Sequence, residues 1–307
     1  MSDVYFFGHV TSGVILRLKG RYPAPDGYGE IAETLENHAG EATAGALVLA
    51  KLGVSVTLEG NWIGDTPVCR RTLDFLRSRG IDCSGLFVKP GYPGVTEIVI
   101  SDGDTRTVFG RYVDLLFTTP QWEMPNPDRI RAARVVCVDP AFGEATQITA
   151  RAAKAAGRLL VTSDARADSP LAALADAIVI SGEFLAREYP AALEFGPARE
   201  QLFAEYLTAC PGLVVFTAGA RPLWYARGTQ GLRHEQVPFP IKVVDSAGAG
   251  DAFRAGVVYG LLHDWADAET IRFSNALAAL ICTTAPGCVH PPTLEQVRTF
   301  LAAHTTA

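Results

Sequence analysis

Apolar and polar residues alternate along this chain in blocks of two kinds. Short, nearly continuous apolar runs occur at VYFFGHV (4–10), VSVTLEG (54–60), ARVVCVD (133–139), RLLVTSD (158–164), DAIVIS (176–181) and LVVFTAG (213–219). Their length and β-branched content predict strands buried on both faces. Longer stretches with a helical period lie between them, at 43–53, 66–80, 143–157 and 198–210, the first two closed by Gly53 and Gly80. Three more helical stretches, 249–262, 268–284 and 293–303, complete the pattern. Such alternation predicts a three-layer α/β/α fold with a mostly parallel central sheet covered by helices on both sides. One region departs from it. VTEIVISDGDTRTVFGRYV (95–113) holds two alternating β-runs around Asp102-Gly103-Asp104, which predicts a hairpin outside the main sheet. The expected organisation is one domain over 1–307, with a small β-sheet lid from about 10–37 and 85–118. In open α/β sheets ligands bind past the C-terminal strand ends, where such a lid would close.

Composition narrows the classes. With 307 residues, 48% hydrophobic and 20% charged, the chain has ample material for a large core. No apolar run reaches the roughly 18 residues that a membrane span needs. MSDVYFFGHV lacks the basic stretch and small-residue cleavage site of a signal peptide, so a cytoplasmic location is expected. The net charge is −6, and Lys and Arg are scattered, which argues against a nucleic-acid partner. The six cysteines form no CxxC pair and no Cys/His group at zinc spacing, so they read as reduced thiols. Neither HExxH nor GxSxG is present.

The stretch that carries chemistry is IKVVDSAGAGDAFRAGVVYGLL (241–262): a short apolar strand, the small residues Gly248-Ala249-Gly250, Asp251, and an apolar helix. Small residues let the backbone approach a phosphate, and the first N–H groups of a helix point outward with the positive end of its dipole behind them. Such a loop stabilises the charge of a phosphoryl group in transfer. Asp251, in the first turn, is placed to take the proton of an attacking hydroxyl. No Gly-Lys pair exists for a Walker A loop, and Phe253 stands where a dinucleotide fingerprint needs glycine. On residue chemistry alone, a plain glycine-rich turn with Asp251 as a helix-start charge stays open beside the phosphate-loop reading.

This stretch resembles the C-terminal signature of the ribokinase-like (PfkB) carbohydrate kinases, D-T-x-G-A-G-D-x-F, with Ser246 in place of Thr. The resemblance runs over nearly the whole chain. HAGEATAGALVLAKLG (38–53) is similar to the family's glycine-pair segment, and IGDTPVCRRTLDFLRSRGID (63–82) to its GDDxxG helix. TRTVF (105–109) resembles its lid strand, FTAGARPLWY (216–225) its TxGxxG segment, and SNALAALICTTAPGCVHPPTLEQVRTFL (274–301) its terminal helix and tail. DAIVISGEFLARE (176–188) resembles the branch nearer ketohexokinase than ribokinase itself.

The resemblance implies a ribokinase-like fold and an ATP-dependent carbohydrate kinase. Asp251 would be the base and the backbone of Gly248, Ala249 and Gly250 the anion hole. Thr217 and Gly219 would lie against the ATP phosphates, with Asn275 and Gly287 near the adenine. Glu183 is the carboxylate nearest the family's Mg²⁺-organising Glu, and Asp245 matches a position that holds a monovalent cation, K⁺, in some members. Gly13, Gly40, Glu41 and Arg106 fall on the substrate side, and a homodimer through the β lid is expected.

The departures concern the acceptor. Gly13 stands where the family has a sugar-holding Asp, Ala39 replaces the first Gly of the pair, Ala44 replaces a sugar-binding Asn, and Pro222 and Arg254 are further differences. Glu41, His38, Asp26 and Arg106 are candidates to stand in for the missing sugar anchors. The acceptor is left as a sugar or sugar-like alcohol. A nucleoside or vitamin-precursor acceptor, or a non-catalytic sugar- or nucleotide-binding protein of the same fold, are the alternatives.

Overall fold

The computed structural model describes residues 2–103, 105–112, 119–229 and 231–304. Its strands are β1 (Val4–Gly8), β2 (Thr11–Leu18), β3 (Ile31–Ala39), β4 (Val56–Gly60), β5 (Ile63–Gly64), β6 (Val88–Lys89), β7 (Thr96–Ser101), β8 (Arg106–Gly110), β9 (Val135–Val138), β10 (Leu159–Ser163), β11 (Ala177–Ile180), β12 (Leu213–Phe216), β13 (Leu223–Arg227) and β14 (His234–Gln236). The helices are α1 (Glu41–Lys51), α2 (Pro67–Ser78), α3 (Pro127–Ala132), α4 (Gly143–Ala155), α5 (Pro170–Leu174), α6 (Gly182–Glu188), α7 (Pro197–Ala209), α8 (Ala249–Leu262), α9 (Asp267–Ile281) and α10 (Leu294–Ala303). None of them is long and apolar enough to cross a membrane.

The main sheet runs β14-β13-β12-β11-β10-β9-β1-β4. From β12 to β4 every pairing is parallel, while β13 and β14 add an antiparallel edge. The apolar runs are continuous because each strand feeds two cores. Val4, Phe6, Val135, Cys137, Leu213 and Val215 pack toward the helices at 41–51 and 249–281. Their neighbours Tyr5, Phe7, Val136, Val138, Val214 and Phe216 pack against the helices on the other side. The period-2 pleat thus turns one apolar run into two buried faces.

A separate four-stranded sheet, β3-β2-β7-β8, bears out the expected β element and its hairpin. Asp104 of the expected turn and residues 113–118 of the expected lid segment lie outside the described residues. One expectation is corrected. Residues 241–245 form no strand; the N–H groups of Val244 and Asp245 instead donate to the Cys282 carbonyl at 2.8 and 3.3 Å, at the end of α9. Val243 and Val244 are exposed there, so their apolar character serves a cavity wall rather than a sheet.

Candidate active site

A cavity of about 540 Å³ lies between the small sheet and the turn that opens α8. Its lining joins Gly40, Arg106, Asp245, Gly248, Asp251 and Gly287, residues far apart in sequence. Gly248 is the N-cap of α8 with φ 78°, a left-handed conformation that glycine adopts without strain. A side chain would not fit there either, since a Cβ would stand 2.3 Å from Cys288 Sγ. The helical ladder begins with Ala252 N–H donating to the Gly248 carbonyl at 2.9 Å. Ala249 N–H is tied to the Ser246 carbonyl at 3.3 Å. The start of α8 is therefore a tight turn whose helical dipole faces the cavity.

Asp251, in the first turn, keeps a quarter of its side chain exposed to the cavity. Beneath it lies Arg254, 1% exposed. Arg254 Nη1 donates to Asp139 Oδ1 at 2.7 Å and to Ser163 Oγ at 2.9 Å, and stands 3.9 Å from Glu41 Oε2. Arg254 Nη2 is 4.0 Å from Asp251 Oδ1, and both Nη2 and Nε lack a hydrogen-bond partner among the described residues. Asp139 is held from its other side, Oδ2 accepting from His9 N–H at 2.8 Å. Asp164 completes the cluster; its carboxylate accepts from the Ser181 N–H at 2.7 Å and the Ser181 hydroxyl at 2.8 Å. One guanidinium thus serves several carboxylates that follow β9 and β10 or open α1 and α8.

The charge balance sets the proton affinities. Burial pushes the Asp251 carboxyl up to about 7, with Arg254 pulling it down and Asp139 and Asp164 pushing it further. Burial and then Asp139 drive the Glu41 carboxyl well above its ordinary range, against Arg254. The Glu41 side chain is still 44% exposed, so water tempers the first cause and the repulsion of Asp139 is the firmer one. Arg254 stays charged, because Asp139, Glu41 and Asp251 outweigh the cost of its burial.

The remaining expected residues are placed as follows. Arg106 Nη1 lies 3.9 Å from Asp245 Oδ1, and Asp245 Oδ1 also accepts from Ala247 N–H at 2.9 Å. Arg106 and Asp245 thus face each other across the cavity wall. Thr217 follows β12 with its N–H on the Ile180 carbonyl at 2.9 Å, Gly219 takes φ 62°, and both lie outside the cavity lining, as does Glu183, exposed in the first turn of α6. Asn275 is buried in α9 and its amide donates to the Val237 carbonyl at 2.9 Å. His38 lines the cavity but is occupied, Nδ1 at 3.0 Å from Thr72 Oγ1 and its ring stacked 4.1 Å from Phe75. Asp26 sits in an exposed turn at φ 65°, away from the cavity.

Asp139, Ser163 and Asp164 were not expected. Their signal in the sequence is a polar residue at the end of an apolar run, VVCVD and VTSD, which in a parallel sheet marks the ligand-facing edge. Among the described residues no three His, Cys, Asp or Glu side chains gather as a ready-made metal site.

Comparison with known proteins adds relatives. The chain is 27% identical over 306 residues, 98% of its length and 99% of the relative's, to an ATP-dependent ribose-1-phosphate kinase of Halopiger xanaduensis. A protein described as an uncharacterized sugar kinase of Dictyostelium discoideum is 43% identical over 61 residues, a stretch covering 20% of this chain and only 17% of that protein. In fold, the structure of Arabidopsis thaliana ribokinase complexed with ribose and ATP matches with a TM-score of 0.83 at 18% identity, covering 98% of each chain. The model of the pfkB family carbohydrate kinases matches residues 1–294, so the sheet order, the α8 turn and the sequence agree: the chain belongs to the pfkB family of carbohydrate kinases.

Proposed function

We propose that this chain transfers the γ-phosphoryl group of ATP to a hydroxyl of a small sugar or sugar-like substrate, with Asp251 as general base. The observation that carries this reading is the juxtaposition of Asp251 and the left-handed Gly248 turn on one cavity at the C-terminal edge of the parallel strands. The acceptor hydroxyl gives its proton to the Asp251 carboxylate as its oxygen attacks phosphorus and ADP leaves. Charge on the transferred group's oxygens faces the Gly248-Ala249-Gly250 turn and the helix dipole behind it. The Ser246 bond to Ala249 N–H must open or be shared for that amide to take part.

Thr217 and Gly219 are assigned to the nucleotide phosphates, Asn275 and Gly287 to the adenine side, and Glu183 to the water shell of Mg²⁺. Bound to the ATP phosphates, Mg²⁺ would screen their charge. Gly287 lines the same cavity as Gly248, which supports nucleotide and acceptor meeting there. The four-stranded sheet is assigned as the lid. Its outward face exposes the cross-strand pair Ile98 and Phe109, 45% and 53% accessible, which supports a homodimer through that face.

ADP release over a panel of sugars, sugar acids, polyols and nucleosides tests the reading, run beside Asp251→Asn. A productive acceptor whose turnover falls about 10²-fold or more in the variant supports it. Equal turnover in both proteins sinks the base assignment, and ATP binding without turnover on the whole panel favours a non-catalytic binder.

A further inference from the structure

Gly13, Asn37 and Glu97 stand abreast in the small sheet: β2 pairs Gly13 with Asn37 of β3 and, on its other side, with Glu97 of β7. Residues in register share a face, and along β2 that face continues through Ile15 and Arg17, which line the cavity. Asn37 and Glu97 line it too, together with Asp251. A Cβ on Gly13 would stand 2.2 Å from the Glu97 carbonyl oxygen and 2.9 Å from Glu97 Cγ. The glycine therefore leaves the space that its two neighbours fill. The Asn37 amide donates to Glu97 Oε1, and the Tyr112 hydroxyl donates to Glu97 Oε2.

Asn37 is only 9% exposed, so this is a fixed wall rather than a mobile surface group. After these bonds, each Glu97 oxygen keeps an acceptor site, and Asn37 keeps its carbonyl oxygen and one N–H. Acceptors beside a donor match neighbouring hydroxyls, each of which gives one proton and takes another. A phosphate or carboxylate at this end would meet the Glu97 charge. The cationic side chains of the lining are already answered, Arg17 by Glu33 at 3.1 Å and Arg106 by Asp245 at 3.9 Å.

We propose that Asn37 and Glu97 are the specificity-determining pair of this site, gripping neighbouring hydroxyls of an uncharged polyhydroxylated acceptor at the cavity wall that they form beside Gly13. This rests on the kinase reading for what the acceptor is for, not for whether it binds. The test is calorimetric titration of neutral pentoses, hexoses and polyols, beside sugar acids and sugar phosphates, into the full chain, Asn37→Ala, Glu97→Gln and Asp251→Asn. At least one neutral sugar is expected to bind the parent and Asp251→Asn. It should bind Asn37→Ala and Glu97→Gln roughly tenfold or more weakly, the loss of a hydrogen bond to a charged or buried group. In turnover the same loss should appear in KM more than in kcat, and Glu97→Gln, whose shape keeps the wall intact, should narrow the discrimination against sugar acids. Neutral-sugar affinity within twofold of the parent in both folded variants, or binding confined to anionic sugars, or no neutral sugar bound at all, would overturn the proposal. Binding that follows the expected pattern with no turnover would leave it standing and remove the kinase reading instead.

Discussion

Arg254 and Asp139, both 1% exposed, form a 2.7 Å ion pair directly beneath Asp251. Arg254 comes from the first turns of α8 and Asp139 from the end of β9, so the pair ties the helix that carries Asp251 to the edge of the sheet. Removing one partner leaves the other charge buried, at a cost of about 3–5 kcal/mol. Arg254→Met is therefore expected to lower Tm by several degrees in a thermal melt. Asp139→Asn should do the same, and the double variant should lose less than the sum of the two.

The pair also sets the pH response. The proposed base must be ionised to act, and burial holds the Asp251 carboxyl up at about 7. kcat/KM on a productive acceptor should fall roughly tenfold per pH unit below about 7 and level off above it. Arg254 is the group that opposes this rise, so its replacement should move the acidic limb to higher pH. A pH profile of the parent, of Arg254→Met, which removes the charge, and of Arg254→Lys, which keeps one and should move the limb less, checks both statements.

Stability should carry the opposite sign to activity at this residue. Folding raises the Asp251 carboxyl above the roughly 4 of an unfolded chain, so ionising it costs stability as pH rises from about 4 to about 7. Asp251→Asn removes that cost. Its Tm relative to the parent should rise across this window, while turnover falls about 10²-fold or more. A variant that melts in parallel with the parent at every pH would contradict the raised proton affinity of the Asp251 carboxyl.

Gly248→Ala meets two obstacles, φ 78° and the Cys288 Sγ at 2.3 Å from the new Cβ. Destabilisation of more than about 1 kcal/mol is expected, with loss of turnover. Adding Cys288→Ala should relieve the clash and recover part of the stability, but not the strain of a left-handed alanine. Denaturant melts of the single and double variants separate the two contributions.

Much of this was legible in the chain. The strands at 4–10, 54–60, 133–139, 158–164, 176–181 and 213–219 and the helices between them form as their periodicity indicates, because burial on both faces makes the apolar run itself the signal. The α8 turn was legible because its chemistry is local: glycine, a helix start and an acid within a few residues. The run 241–245 misled because an apolar segment that walls a cavity has the composition of a strand, and the Cys282 carbonyl that takes its N–H groups is not next to it in sequence.

The sequence by itself determined the layered architecture and the glycine turn with its carboxylate at the start of α8, since these depend on patterns of residues near one another in the chain. Only the tertiary structure decided the surroundings. Asp139 reaches Arg254 across 115 residues, and Glu97 reaches Asn37 across 60. In sequence Arg254 is a departure after the motif; the fold makes it the buried counter-charge of a carboxylate cluster. In sequence Gly13 is the absence of an expected carboxylate; the register of β2 sets it between Asn37 and Glu97. Charge compensation and close packing act through space, so their partners are chosen by the sheet order and strand register, which no local pattern contains.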